Sequence, residues 1–165
     1  MEKKEYKELS AMAANGDTKA FAYLYETVYR EMYYTAYYSL KNDADAIEAV
    51  TGTIRDGFEA VKRLNSEAAF RLFMLKSLCA RIKLRFKEYS KAHAPVQYDK
   101  KALHPNEDGI DVKQEFNKLP DTERMVMALC VIGRFPPEEI AQFTGMSAGA
   151  VRKRLTKAVN ALELE

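Results

Sequence analysis

Residues 136–162 read PPEEIAQFTGMSAGAVRKRLTKAVNAL and carry the most informative pattern in the chain. Proline followed by Glu138 and Glu139 is typical of a helix start, because carboxylates favour the positive end of the helix dipole. Gly145 can end that helix in a left-handed conformation, and Ser147 can cap the next one. The spacing therefore predicts two short helices joined by a tight turn.

The second of these helices is predicted to have an apolar face and a basic face. Its apolar residues recur at helical steps: Val151, Leu155, Ala158 and Leu162. Four basic residues and no acid lie between Val151 and Lys157. Together with the small Ala141 where the helices cross, this pattern predicts a helix-turn-helix that enters a major groove. An ordinary helical hairpin with a solvated basic face is the alternative.

The candidate DNA contacts lie at the start of the second helix and along its basic side. Sequence alone does not sort base contacts from backbone contacts among them. They are Ser147, Ala148, Gly149, Arg152, Lys153, Arg154, Thr156 and Lys157. Arg154 lies close to the buried edge of the helix.

The rest of the chain is also predicted to be helical. Apolar residues recur at three- and four-residue steps after candidate caps at Asp17, Asp43 and Ser66, and no stretch alternates with period two. Residues 92–111 contain prolines, a glycine and mixed charges without an apolar stripe, which predicts a flexible linker. The fold class is therefore all-α, with two small domains at residues 1–91 and 112–165.

Composition excludes several classes of protein. With 165 residues, 47% of them hydrophobic, the chain can build packed cores, and its net charge of +2 reveals nothing about partners. It has no long apolar run and no leader at its start, so we expect neither a membrane span nor a secretory signal. Only Cys79 and Cys130 are present, which excludes a disulfide scaffold and favours the cytoplasm.

Catalysis has almost no support in the sequence. The chain shows no glycine-rich phosphate loop, no catalytic Ser/His/Asp pattern and no ligand spacing for a metal. We therefore expect no enzyme activity, no cofactor and no small-molecule substrate.

Short motifs in both halves resemble bacterial extracytoplasmic-function (ECF) RNA polymerase sigma factors. The C-terminal motifs, in the family's order, are Leu119-Pro120, Glu139-Ile140-Ala141 and GAVRKRL at residues 149–155. In the N-terminal half, Gly16-Asp17 resembles the opening of the family's polymerase-binding domain, and the segment Asn42–Ala46 stands where the family's acidic motif begins. The resemblance implies a transcription initiation factor that binds core RNA polymerase and directs it to promoter DNA.

The resemblance also assigns roles to residues. The helix-turn-helix would read the minus-thirty-five element, and the N-terminal domain would capture unpaired bases of the minus-ten element. The residues that would bind the clamp helices of the polymerase are Asp45, Glu48, Ala49 and Thr51. The basic residues that would contact the separated strand are Arg81, Lys83, Arg85 and Lys87. A solvated face is the other interpretation of that basic run.

Departures from the family pattern lie in the N-terminal half. Ile47 replaces an acid of the docking motif, Thr51-Gly52 stands in place of Gln-Glu, and Ala80 stands where the family has asparagine. They keep an alternative open: a sigma-derived DNA-binding regulator with weak or no polymerase docking. A purely structural interaction module is a third, remoter class. The sequence leaves open whether an anti-sigma factor binds between the domains, which a flexible linker would allow.

Overall fold

A computed structural model describes residues 1–92 and 116–162, and it contains no strand among them. The all-α prediction is confirmed. The predicted linker, residues 92–111, lies outside the described residues except for Ala92, which ends a helix. The two domain boundaries therefore stay a prediction.

The N-terminal half consists of helices that pack side by side. Their bounds are α1, Lys3–Ala14; α2, Thr18–Leu40; α3, Asp43–Ala60; and α4, Glu67–Ala92. A 3₁₀ turn, Val61–Arg63, follows α3. The Tyr6 hydroxyl of α1 donates to the carbonyl oxygen of Leu64 at 2.7 Å, which fastens α1 beside that turn.

Three shorter helices lie entirely within the described residues 116–162. They are α5, Asp121–Met127; α6, Pro137–Thr144; and α7, Ala148–Ala161. A π-helical segment, Ala128–Ile132, prolongs α5 up to Gly133. The helices α6 and α7 are joined at Gly145, whose φ of 77° is the left-handed conformation that the sequence predicts for this turn.

Side-chain hydrogen bonds cap the N-termini of α2, α3 and α4. The side chain of Asp17 accepts from the Ala20 amide at 3.0 Å, and that of Ser66 accepts from the Ala69 amide at 3.1 Å. The prediction that Asp43 caps α3 is wrong. Asn42 takes that role, accepting from the Asp45 amide at 2.9 Å, because Asn42 has the extended backbone that a cap needs and Asp43 is already helical.

One hydrophobic core runs through both halves of the described chain. Val28, Met32 and Leu78 are fully buried in the N-terminal half and belong to the same cluster as Ile140 and Val151 of the helix-turn-helix. A second, smaller cluster holds the far side of α5 against α7, with Phe116, Leu119, Met127, Ala158 and Leu162. Burial of such large apolar side chains contributes about 1.5–3 kcal/mol each, so this packing is the main force that holds α6 and α7 in place.

Candidate nucleic-acid interface

Two side-chain hydroxyls make hydrogen bonds around the turn between α6 and α7. The Thr144 hydroxyl donates to the carbonyl oxygen of Ile140 at 2.7 Å and accepts from the Met146 amide at 3.3 Å. The Ser147 hydroxyl accepts from the Ala150 amide at 3.1 Å and caps α7. This arrangement fixes the angle at which α7 leaves the turn, and that angle sets how a recognition helix meets DNA.

The outward face of α7 carries most of the predicted DNA contacts. The exposed members are Ser147, Gly149, Arg152, Lys153, Thr156 and Lys157. Ala148 is half-buried. The opposite face holds α7 to the protein through Val151 and Ala158, which are fully buried. The helix therefore presents a continuous polar and basic surface to solvent.

The cations of α7 differ in whether they form an ion pair with another side chain. Arg152 forms an exposed ion pair with Glu138 of α6. Lys153 and Lys157 make no ion pair within 4 Å with any residue in the described ranges 1–92 and 116–162. These two lysines are thus the cations of α7 that are most available to phosphates.

Arg154 faces back toward the protein. Its Nη1 atom donates to Oε1 of Glu123 at 2.5 Å, and the Glu123 carboxylate is almost buried. Burial raises the pKa of Glu123, but the hydrogen bond from Arg154, a backbone hydrogen bond and the charges of Arg154 and Lys157 together lower it by more, so the net shift of the pKa is downward. The pair ties α7 to α5, which gives Arg154 a scaffolding role in this arrangement.

The predicted polymerase-binding acids lie at the start of α3 and contact α4. The Arg85 guanidinium pairs with Glu48, and it lies 3.6 Å from Oδ1 of Asp45. The Tyr89 hydroxyl donates to Asp45. Burial and this hydrogen bond raise the pKa of Tyr89 well above its usual value, so the hydroxyl stays a donor. Both acids therefore already interact with side chains of α4.

The other predicted docking residues divide between core and surface. Ala49 is only 8% exposed and packs in the core, so it offers little surface to a partner. Thr51 is exposed, and Ile47 is 47% exposed where the family pattern has an acid. The docking face consequently combines paired acids with an uncovered apolar side chain.

Most of the α4 cations that are predicted to contact a DNA strand interact with other residues of the protein. Arg81 forms a forked pair with Asp56 of α3, with its Nε and Nη2 atoms donating at 2.8–3.0 Å. Gly52 allows this position, because a Cβ atom there would lie 2.4 Å from Nη1 of Arg81. Lys83 donates to the carbonyl oxygen of Thr144 at the end of α6. Lys87 is exposed and has no ion-pair partner among the residues that the structure describes.

Sequence reasoning missed Arg124, which joins the two halves. Its side chain is 3% exposed, and it donates to the carbonyl oxygens of Ser39 and Leu119, both at 2.7 Å. It also pairs with Asp121 at 2.6 Å and lies over the ring of Phe86, 5.5 Å from its centroid. An arginine inside the apolar run of α5 was the available signal, since a buried cation requires such partners.

The described residues show no metal site and no membrane-crossing helix. No group of three or more His, Cys, Asp or Glu side chains among them could hold a metal ion. No described helix combines the length and the apolar character that a membrane crossing requires.

A comparison with known families finds a match in the C-terminal part of the chain. Residues 111–162, which include all of the helix-turn-helix, match the family model for sigma-70, region 4. This stretch of the chain is therefore similar to sigma-70 region 4 domains. No curated protein sequence matches the chain.

Solved structures share the fold of nearly the whole chain. CnrH, in complex with the cytosolic domain of CnrY, has a TM-score of 0.69 at 20% identity, covering 96% of this chain and 95% of that one. The sigma factor RpoE, in complex with the anti-sigma factor NepR from Bartonella quintana, has a TM-score of 0.64 at 20% identity, covering 88% and 95%. The chain shares the helical fold of these proteins, and the resemblance to ECF sigma factors is confirmed.

Proposed function

We propose that this protein is an alternative sigma subunit of the ECF type that binds core RNA polymerase and directs it to specific promoters. The observation that carries the proposal is the outward face of α7. A region 4 domain presents there a helix whose exposed Lys153 and Lys157 have no ion-pair partner among the described residues. Sigma factors as a family have no enzyme activity, and we propose none for this chain.

The upstream promoter element would be read by α7. A recognition helix places its N-terminal residues on base edges in the major groove, which assigns that position to Ser147, Ala148 and Gly149. Arg152, Thr156, Lys153 and Lys157 follow on the exposed side, where cations can reach phosphates and release counterions.

Polymerase docking would use the exposed side of α3. Asp45 and Glu48 suit a basic partner surface, such as the clamp helices of core RNA polymerase, and Thr51 extends this face by one turn. On α4, Lys87 is the cation best placed to meet a separated DNA strand, since Arg81, Lys83 and Arg85 have partners within the protein.

An anti-sigma protein is a further proposed partner. The RpoE structure that shares this fold was determined with the anti-sigma factor NepR, and a similar regulator would fit a sigma subunit of this kind. We also propose that the protein acts in the cytoplasm, where core polymerase and promoter DNA are found.

A specific observation favours a second candidate function, a sigma-derived DNA-binding regulator that docks weakly on polymerase. Ile47 is exposed where an acid is expected, and Asp45 and Glu48 already contact Arg85. Fewer charge-assisted hydrogen bonds would then be available to the polymerase.

Reconstituted transcription separates the two candidates. The purified chain is added to core RNA polymerase with a panel of promoters and genomic fragments, and the start sites of the transcripts are mapped. The proposed sigma activity predicts a defined start site that requires the chain. DNA binding by the chain without polymerase binding or transcripts would instead support the regulator.

A further inference from the structure

Arg85 lies at the centre of an acidic cluster formed by α3 and α4. Its guanidinium pairs with Glu48 of α3, lies 3.6 Å from Asp45 of α3, and donates to Oε2 of Glu88 of α4 at 2.8 Å. One guanidinium thus interacts with three carboxylates. Burial lowers the pKa of Arg85, but the surrounding carboxylates raise it by more, so the guanidinium remains charged.

The cluster is open to solvent on the side of the proposed docking face. The side chain of Glu48 is 71% exposed, whereas those of Arg85 and Asp45 are 24% and 25% exposed. A partner can therefore reach the Glu48 carboxylate directly. Any cation that it brings must share that carboxylate with Arg85.

The helix α3 positions the backbone of the docking acids, and Asp45 has a second partner besides Arg85. Asp45 is placed by the first turn of α3, which Asn42 caps, and it receives a separate hydrogen bond from Tyr89. Glu48 extends from the same helix one turn later. When Glu48 is taken by a partner, Arg85 keeps Glu88 as a neighbour on its own helix.

We propose that Arg85 is an internal competitor that occupies Asp45 and Glu48 and so weakens docking of a basic protein surface on α3. This inference rests on the proposed function, because it takes the docking partner to be a positively charged surface of core RNA polymerase. Arg85 would set the affinity of the interaction and leave its location unchanged.

Arg85→Gln tests the proposal directly. Removing the guanidinium frees both acids, so the full chain should bind core polymerase about threefold more tightly or better, with a steeper salt dependence. Lys76→Gln is the matched control. It removes one charge from an exposed position of α4 that has no ion-pair partner among the described residues, and it should leave the affinity unchanged. Equal or weaker binding by Arg85→Gln would overturn the proposal.

Two further variants test whether the gain in affinity depends on Glu48 and on the charge of Arg85. In a Glu48→Gln background, Arg85→Gln should gain much less, because the main carboxylate in competition is gone. Arg85→Lys keeps the charge but loses the forked geometry, so its affinity should lie between those of the wild type and Arg85→Gln. Thermal unfolding of each variant measures stability, and a purely structural role for Arg85 would change stability without the gain in binding.

A synthetic arginine-rich helical peptide separates this inference from the proposed function. If no variant binds polymerase but Arg85→Gln binds the peptide more tightly than the wild type, the competition stands and polymerase docking fails. If the wild type binds polymerase and Arg85→Gln gains with neither probe, the proposed function stands and the competition fails.

Discussion

The helices α4 and α7 each carry a run of cations, but the two runs differ in how many of their cations pair with other residues of the protein. On α7, Lys153 and Lys157 have no ion-pair partner among the described residues. On α4, Arg81 and Arg85 pair with acids of α3, and Lys83 donates to the end of α6. The two runs look alike in the sequence, but of the predicted contacts on α4 only Lys87 lacks a partner among the described residues.

The difference arises from what packs beside each helix. Asp45, Glu48 and Asp56 come from α3, which lies alongside α4. In the part of the chain that the structure describes, the ion pair on the exposed side of α7 is that of Arg152 with Glu138 of α6, and Lys153 and Lys157 have none. A basic run therefore indicates a nucleic-acid surface more strongly where the neighbouring elements leave some of its cations unpaired.

The largest expected effect is on stability and concerns Arg124, a buried cation that can be compared with the exposed cations of α4 and α7. Arg124→Met should lower the free energy of unfolding by about 3 kcal/mol, because it leaves buried carbonyl oxygens without a donor. Urea unfolding measures the change. Arg55→Met, at an exposed position of α3, is the control and should change stability by less than about 0.5 kcal/mol. A small loss for Arg124→Met would mean that Arg124 is not the link between the two halves.

The next effect concerns the available cations of α7. Replacing Lys153 and Lys157 together by alanine should weaken duplex binding about tenfold or more, because each lost phosphate contact lowers the salt slope by about one. Binding to a promoter fragment at several salt concentrations measures both quantities. Lys76→Ala on α4 serves as the control. An unchanged slope in the double variant would remove these lysines from the DNA interface.

A smaller effect tests whether Arg154 is a scaffold residue. Glu123→Gln should lower stability by about 1 kcal/mol at pH 7, because the Arg154 hydrogen bond loses its charged acceptor. The pKa of Glu123 lies below its usual 4.5 in the folded protein, so this stabilisation is complete above that pH and is lost as the pH falls below it. The unfolding curves of the two proteins should therefore converge in acid. A difference that persists below the folded-state pKa would point to packing.

The smallest effect compares cations within α4. Lys87→Ala should weaken binding of the full chain to single-stranded DNA about twofold, since one exposed phosphate contact is lost. Arg81→Ala should weaken it less and instead lower stability, because Asp56 loses its forked partner. Fluorescence titration with an oligonucleotide and a thermal unfolding curve provide the two measurements. The ranking is contradicted if Arg81→Ala has the larger effect on binding.

The local architecture was predictable because its signals are adjacent in sequence. Gly145 and Ser147 identify the turn and the cap of α7, and the spacing of Val151 and Ala158 identifies its buried face. The ion pairs between the cations of α4 and the acids of α3 were not predictable from the sequence. Arg85 and Glu48 are 37 residues apart, and their contact depends on how α3 and α4 pack. The same holds for Arg124 and Ser39, which are 85 residues apart.

The central claim is that α7 lies on the upstream promoter element when the chain is bound to polymerase. A DNA-cleaving probe attached to Asn160→Cys, an exposed position at the end of α7, tests it. Burial raises the pKa of Cys79 to about 12 and also raises that of Cys130, so the new thiol should be labelled first. The account predicts polymerase-dependent cleavage confined to the minus-thirty-five element. Cleavage that is absent, or that is the same with and without polymerase, would contradict it.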